Sequence, residues 1–253
     1  MQMNVNDHSL HVQEVGTGQP IILLHSLGTS SALWAQQIND LADRYRLVTI
    51  DFRGHGQSEI SRTPVTIELL ASDVVAVLDR IGIERFVLAG ISLGGMVAQV
   101  IAARLGERVE RLVLMDTSLA PLSRTMWIER AALVRSNGLA PLASDIAARW
   151  QNPTSEQSPA ARAALESLLA TPDEGYAGGC DALALADCTG LAPNITSKTT
   201  IAVGALDKAT PPALAQDLAG AITGADLVIL PDCAHLPMID RPDLVTDLLE
   251  RTG

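Results

Sequence analysis

The sequence predicts an α/β fold: a mostly parallel, doubly wound sheet with an all-helical segment inserted between two of its strands. Three observations carry this. Short, almost wholly apolar runs recur along the chain, as expected of parallel strands covered on both faces. Segments of helical periodicity separate them. The alternation lapses between about Leu119 and Ala192, where no strand pattern is present, and resumes at Thr199. The 253 residues are enough for one full α/β domain and too few for two independent ones. Residues 1–118 and 193–253 are therefore read as the core and 119–192 as a helical cap.

In chain order, Met3 to Val15 reads as an antiparallel hairpin at one sheet edge. Strands are expected at Ile21–His25, Leu47–Phe52, Phe86–Ile91, Arg111–Asp116, Thr199–Ala205 and Asp226–Pro231. Thr66 to Ile81 sets Leu69, Leu70, Val74, Val77, Leu78 and Ile81 at helical spacing on one side. A second helix is expected over Leu93–Leu105. The insertion reads as short helical pieces, broken at Ser136-Asn137-Gly138 and at Gln151-Asn152-Pro153. Such an insertion most simply covers the carboxyl ends of the strands, where α/β sheets bind ligands.

Composition narrows the function classes. Hydrophobic residues make up 47% and charged residues 19%, a globular balance. A net charge of −11 argues against nucleic acid or an anionic membrane as partner, but leaves room for a small anion at a locally basic site. Cys180, Cys188 and Cys233 form neither a disulfide framework nor a zinc pattern, and read as reduced packing residues of a cytoplasmic protein. MQMNVNDHSL lacks the apolar run of a signal peptide. No stretch approaches the ~20 apolar residues needed to span a bilayer.

The chemistry is concentrated at Gly90-Ile91-Ser92-Leu93-Gly94, a G-x-S-x-G between a strand and a helix. A turn this tight leaves no space for side chains at 90 and 94. It projects Ser92 at a helix N-terminus, where developing negative charge is favoured. The base of such a nucleophile follows it in the chain, and of His8, His11, His25, His55 and His235 only the last does so. Asp207, directly after a strand, is the acid placed to hold the His235 imidazole in the productive tautomer. Asp226 and Asp232 compete for this role. The first opens a strand and so belongs at the other end of the sheet, and the second reads as a turn residue. The loop His25-Ser26-Leu27-Gly28 is expected to supply one oxyanion-binding N–H, from Leu27, and the residue after the nucleophile, Leu93, the other. His25 is read as orienting its loop, and His55 in Asp51-Phe52-Arg53-Gly54-His55-Gly56-Gln57-Ser58 as structural. No metal or organic cofactor is required by this set.

LLHSLGTSSALW, DFRGHGQS and GISLGG together resemble the α/β-hydrolase superfamily across nearly the whole chain. MDTSLAP, MWIERAALVRSNGLAPLA, LLATPDEGYAGGCDAL and VGALDKATPP resemble the 3-oxoadipate enol-lactonases within it. Ser26 and Gln151 depart from that pattern, standing where many relatives have glycine and an aromatic residue. The resemblance implies hydrolysis of an enol-lactone bearing a free carboxymethyl group. Carboxylesterase or other lactonase activity with the same triad, carbon–carbon bond hydrolysis and a hydrolase-fold ligand receptor are the competing readings. Between Ala120 and Trp150 four arginines (Arg124, Arg130, Arg135 and Arg149) face two acids (Glu129 and Asp145), a local excess of +2. Arg124, Trp127 and Arg130 share one face if the segment is helical. Arg124 or Arg130 is thus expected to bind a substrate carboxylate, with Trp127 and Trp150 walling the pocket. The alternatives are arginines solvated or paired with acids, and tryptophans that only pack.

Overall fold

The computed structural model describes residues 1–250. The chain opens with a hairpin, β1 (Gln2–Val5) and β2 (His8–Val15), turned by Asn6 and Asp7 at φ 47° and 59°. These two residue types tolerate that left-handed geometry. There follow β3 (Gln19–Leu24), α1 (Ala35–Leu41), β4 (Tyr45–Ile50), α2 (Ile67–Arg80), β5 (Phe86–Ile91), α3 (Leu93–Leu105) and β6 (Val109–Met115). Four α-helices come next: α4 (Arg124–Asn137), α5 (Ala143–Ala147), α6 (Pro159–Ala170) and α7 (Asp173–Leu185). The chain then resumes with β7 (Lys198–Gly204), α8 (Pro212–Ala221), β8 (Asp226–Leu230), α9 (Pro237–Asp240) and α10 (Pro242–Glu250).

The eight strands form one sheet in the order β1-β2-β4-β3-β5-β6-β7-β8. β1 and β2 run antiparallel to their neighbours, and β3 to β8 are mutually parallel. All six residues of β5 and the four from Ile21 to Leu24 are buried, which is why these strands read as continuous apolar runs. The expected strands are found within two residues. Asp116 falls outside β6 because its φ of 44° leaves the extended region.

α2 begins where Thr66 accepts a hydrogen bond from the Leu69 N–H at 3.1 Å. It buries Ile67, Leu70, Val74, Val77 and Leu78, while Leu69 and Ile81 are only half-buried. The cap helices are longer than the expected short pieces: α4, α6 and α7 have 14, 12 and 13 residues. α7 persists through Gly175, Gly178 and Gly179 because tertiary packing supports it. It lies so close to the Gly54 backbone that a Cβ on Gly175 would sit 2.0 Å from the Gly54 carbonyl oxygen. Among the described residues, no helix is long and apolar enough to cross a membrane.

Candidate active site

The sheet order fixes where a site can form. After β3 the chain moves to β4 on one side and then returns to β5 on the other, so β3 and β5 flank a topological switch point. Leu24 pairs with Gly90 across these strands. The segments that follow, Ser26-Leu27 and Ser92-Leu93, therefore leave the same sheet edge side by side. β6, β7 and β8 carry Asp116, Asp207 and His235 to that edge in turn.

The turn at Ser92 is strained and closely packed. Ser92 has φ 54° and ψ −117°. A Cβ on Gly90 would lie 2.2 Å from the Gly94 carbonyl oxygen, and one on Gly94 2.4 Å from that of Leu24. Only hydrogen fits at either position, which accounts for both glycines of the motif. The Ser92 N–H is held by the Met115 carbonyl at 3.0 Å, and the Thr117 hydroxyl donates to the Ser92 carbonyl at 2.8 Å.

His235 Nε2 lies 3.0 Å from Ser92 Oγ, and its Nδ1 lies 2.9 Å from Asp207 Oδ2. The Asp207 carboxylate also accepts from the Thr210 hydroxyl (2.6 Å) and from the N–H groups of Ala209 (2.7 Å) and Thr210 (3.1 Å). Burial alone would raise its pKa. The neighbouring His235 and the donated hydrogen bonds outweigh that and hold the carboxyl well below the usual range. The rival acids are elsewhere: Asp226 is exposed at the start of β8, and Asp232 is a turn residue at φ 59°. The arrangement can move a proton from the Ser92 hydroxyl to an imidazole held in one tautomer.

Among the described residues, neither the Leu27 nor the Leu93 N–H donates to another group of the chain. Both residues are buried at the switch point, Leu27 lining the cavity and Leu93 opening α3. Neither His25 nor His55 lines the cavity beside Ser92. His25 Nδ1 donates to the Ser26 carbonyl (2.8 Å), and its Nε2 accepts the Phe52 N–H (2.9 Å). Burial pushes the pKa of His55 down to about 3, and the adjacent His25 adds to the shift, so His55 packs as a neutral ring. The 51–58 loop is bolted to α2 by the buried pair Arg53–Asp73, at 2.5 and 2.8 Å.

A cavity of about 190 Å³ lies between this sheet edge and the cap, with Ser92 and His235 in its floor. Trp127, Arg130 and Trp150 line it as expected; Arg124 does not. Arg124 is the first residue of α4 and is exposed, because the inward-facing part of that helix begins at Met126. Arg135 is also accounted for, paired on the outside with Glu174 and Asp181 at 2.7 Å each. Two further cations reach the cavity from other elements: Arg149, after α5, and Lys208, beside Asp207. Arg130 packs over the Trp127 ring with its guanidinium carbon 5.0 Å from the ring centroid. The buried Tyr176 on α7 adds a phenol whose pKa burial raises, so it is a hydrogen-bond donor.

Lys208 and Tyr176 were not singled out from the sequence; the one visible signal was that Lys208 adjoins the acid. Asp116 was read only as a strand end. It is fully buried, and it presents an oxygen such that the polar atoms of Asp116, Asp207 and His235 all lie within 4.8 Å of one another. The cap is tied to the His235 loop by the Leu236 N–H, which donates to the Trp150 carbonyl at 2.6 Å, and by the Asn152 side chain, which donates to the Asp232 carbonyl at 3.0 Å.

Comparison with known proteins agrees with this fold. The family model described as alpha/beta hydrolase fold matches residues 19–242. The chain is 34% identical to 3-oxoadipate enol-lactonase 2 of Acinetobacter baylyi over 232 residues, 91% of this chain and 86% of the relative. It is 32% identical to 3-oxoadipate enol-lactonase 1 of the same organism, over 88% of this chain and 84% of that one. The crystal structure of the enol-lactonase from Burkholderia xenovorans LB400 superposes with a TM-score of 0.95 at 34% identity, covering 99% of this chain and 100% of the other. With its elbow serine at a sheet switch point and a match over most of its length, the chain belongs to the α/β-hydrolase family.

Proposed function

We propose that the protein opens 3-oxoadipate enol-lactone to 3-oxoadipate, in the catabolism of aromatic compounds, by acyl transfer through Ser92. The observation that carries this is the charge of the cavity. Arg130, Arg149 and Lys208 line it and no carboxylate does, among the described residues, in a chain of net charge −11. A small anionic substrate complements that lining, and an arginine grips a carboxylate through two parallel hydrogen bonds. The names of the two Acinetobacter relatives point to the same substrate, and that of the Burkholderia structure to an enol-lactone.

In this reading His235 Nε2 takes the Ser92 proton as Oγ attacks the lactone carbonyl. The tetrahedral oxyanion is received by the free N–H groups of Leu27 and Leu93. The ring C–O bond then breaks. Its oxygen leaves as an enol, protonated by His235, and ketonises while still tethered to the acyl-enzyme. A water molecule, deprotonated by His235, attacks the acyl carbon, and Ser92 leaves with the returned proton. The reaction requires no metal or organic cofactor, since nucleophile, base and oxyanion donors are all protein groups.

The test is turnover of the enol-lactone beside p-nitrophenyl acetate. A charged hydrogen-bonded contact contributes about 1.5–3 kcal/mol. The lactone is therefore expected to have the higher kcat/KM by roughly ten- to a hundredfold. A neutral ester hydrolysed as well as the lactone would replace this reading with a general carboxylesterase.

A further inference from the structure

A buried carboxyl lies against the triad and has no part in the acyl-transfer steps above. Asp116 follows β6 directly in a left-handed conformation, and its N–H is fixed by the Ala202 carbonyl at 2.9 Å. Its Oδ1 accepts the Gly204 N–H at 2.8 Å, while its Oδ2 is buried with no donor. Asp207, within the same 4.8 Å cluster, accepts from two N–H groups, one hydroxyl and the imidazole.

Two carboxylates this close and this buried do not both ionise. The four donors on Asp207 and the single donor on Asp116 decide which keeps the charge. We propose that Asp116 is a positioning residue held as the neutral acid, its Oδ2 proton directed at the Asp207 carboxylate, so that His235 faces one negative charge and not two. A second charge would favour the imidazolium and take away the free base that Ser92 requires.

The surroundings of Asp116 agree. Burial, followed by the charge of Asp207, raises its carboxyl well above the usual range. The other groups facing it are His235 and Cys233 on the loop after β8, and Asp240 on α9. Burial pushes the Cys233 thiol up to about 12, so it is neutral. Asp240 accepts the N–H groups of Asn152 and Ala234. The charges of Asp207 and Asp240 both raise the Asp116 carboxyl further.

The inference rests on the Ser92–His235–Asp207 reading, which Ser92→Ala tests separately. Asp116→Asn keeps the acceptor for Gly204 and offers an N–H in place of the O–H. Its kcat/KM on p-nitrophenyl acetate should stay within about threefold of wild type, and the acidic limb of the pH profile should coincide with wild type. Were Asp116 charged, the substitution would remove a negative charge beside His235 and move that limb about one pH unit or more downward, which overturns the proposal. Asp116→Ala removes the donor and should lower kcat about tenfold or more with little change in KM, a loss that asparagine restores.

Two measurements do not need turnover. The infrared carboxylic-acid C=O band of the wild type at neutral pH should lose a component in Asp116→Asn but not in Ser92→Ala. Thermal melts should show Asp116→Asn gaining stability over wild type as pH rises. An acid whose folded pKa is raised must take up a proton on folding at any pH between its ordinary value of about 3.9 and the raised one. The gain should therefore be absent near pH 4 and present at pH 7. An unchanged infrared spectrum, or a stability difference that is flat with pH, would overturn the proposal.

Discussion

Ser92 sits in a conformation that costs energy, and its neighbours are chosen around that cost. Removing the hydroxyl by Ser92→Ala should leave the fold intact and lower kcat by roughly four to six orders of magnitude, measured on either substrate beside a thermal melt. Asp207→Asn should cost around 10⁴-fold by misorienting the imidazole, whereas Asp226→Asn, exposed at the opposite strand end, should be nearly silent. The cavity cations differ in the same testable way. Arg130→Ala or Arg149→Ala should lower kcat/KM for the anionic lactone by roughly tenfold to a hundredfold while sparing p-nitrophenyl acetate, and Arg124→Ala should spare both. Equal losses on the two substrates would mean that the arginines hold the cap together and do not bind carboxylate.

At the scale of elements, the elbow and the 51–58 loop are the two places where packing leaves least freedom. Gly94→Ala drives a methyl group to 2.4 Å from the Leu24 oxygen and 2.6 Å from that of His25, so β3 and α3 must separate. Overpacking of this kind costs about 1–3 kcal/mol or more. For a chain of this size that lowers Tm by about 2–12 °C, with loss of activity as the Leu27 loop shifts. Asp73→Ala leaves Arg53 buried and unpaired, a penalty of about 3–5 kcal/mol. Arg85→Ala, which breaks the exposed pair with Glu110, should change Tm little. Elements were also the scale at which the sequence was easiest to read. β5 is buried at every residue, so its limits follow from its apolar run alone. The cap helices differ: which side of α4 faces the cavity is decided by its packing on α7, and no periodicity in α4 discloses that partner. The sequence alone therefore puts Arg124 in the pocket, outside which it lies, and does not distinguish Arg149, in the turn after α5, from its neighbours.

For the whole molecule, the grouping of Ser92, His235 and Asp207 is legible because a single histidine follows Ser92 in the chain and a strand ends beside Asp207. Asp116 is not, since an acid at a strand end gains meaning only when the strand order is known. β6 lies between the strands bearing Ser92 and Asp207, so the residue that follows it emerges between them. The two carboxyls give the folded state opposite responses to pH. Asp207, held below its ordinary range, contributes stability that is complete above pH about 3.9 and is lost as pH falls through its folded value. Asp207→Asn should therefore melt below wild type at pH 7, with the gap closing in acid, the reverse of the trend expected for Asp116→Asn. Parallel trends for the two variants would mean that the carboxyls do not divide charge and proton between them.

The bond from Leu236 to Trp150 has a consequence for how such enzymes change substrate. Ser92, Asp207 and His235 hang from neighbouring strands of one sheet, so exchange of the helical segment between β6 and β7 is expected to alter the guest while sparing them. That segment is not free at both borders, however. Its Trp150 carbonyl receives the N–H of the residue next to His235, and Asn152 reaches the same loop. A transplanted cap that lacks this clasp would loosen the imidazole itself, so a graft that keeps residues 150–152 and exchanges only what lies around them should retain turnover where a complete exchange does not.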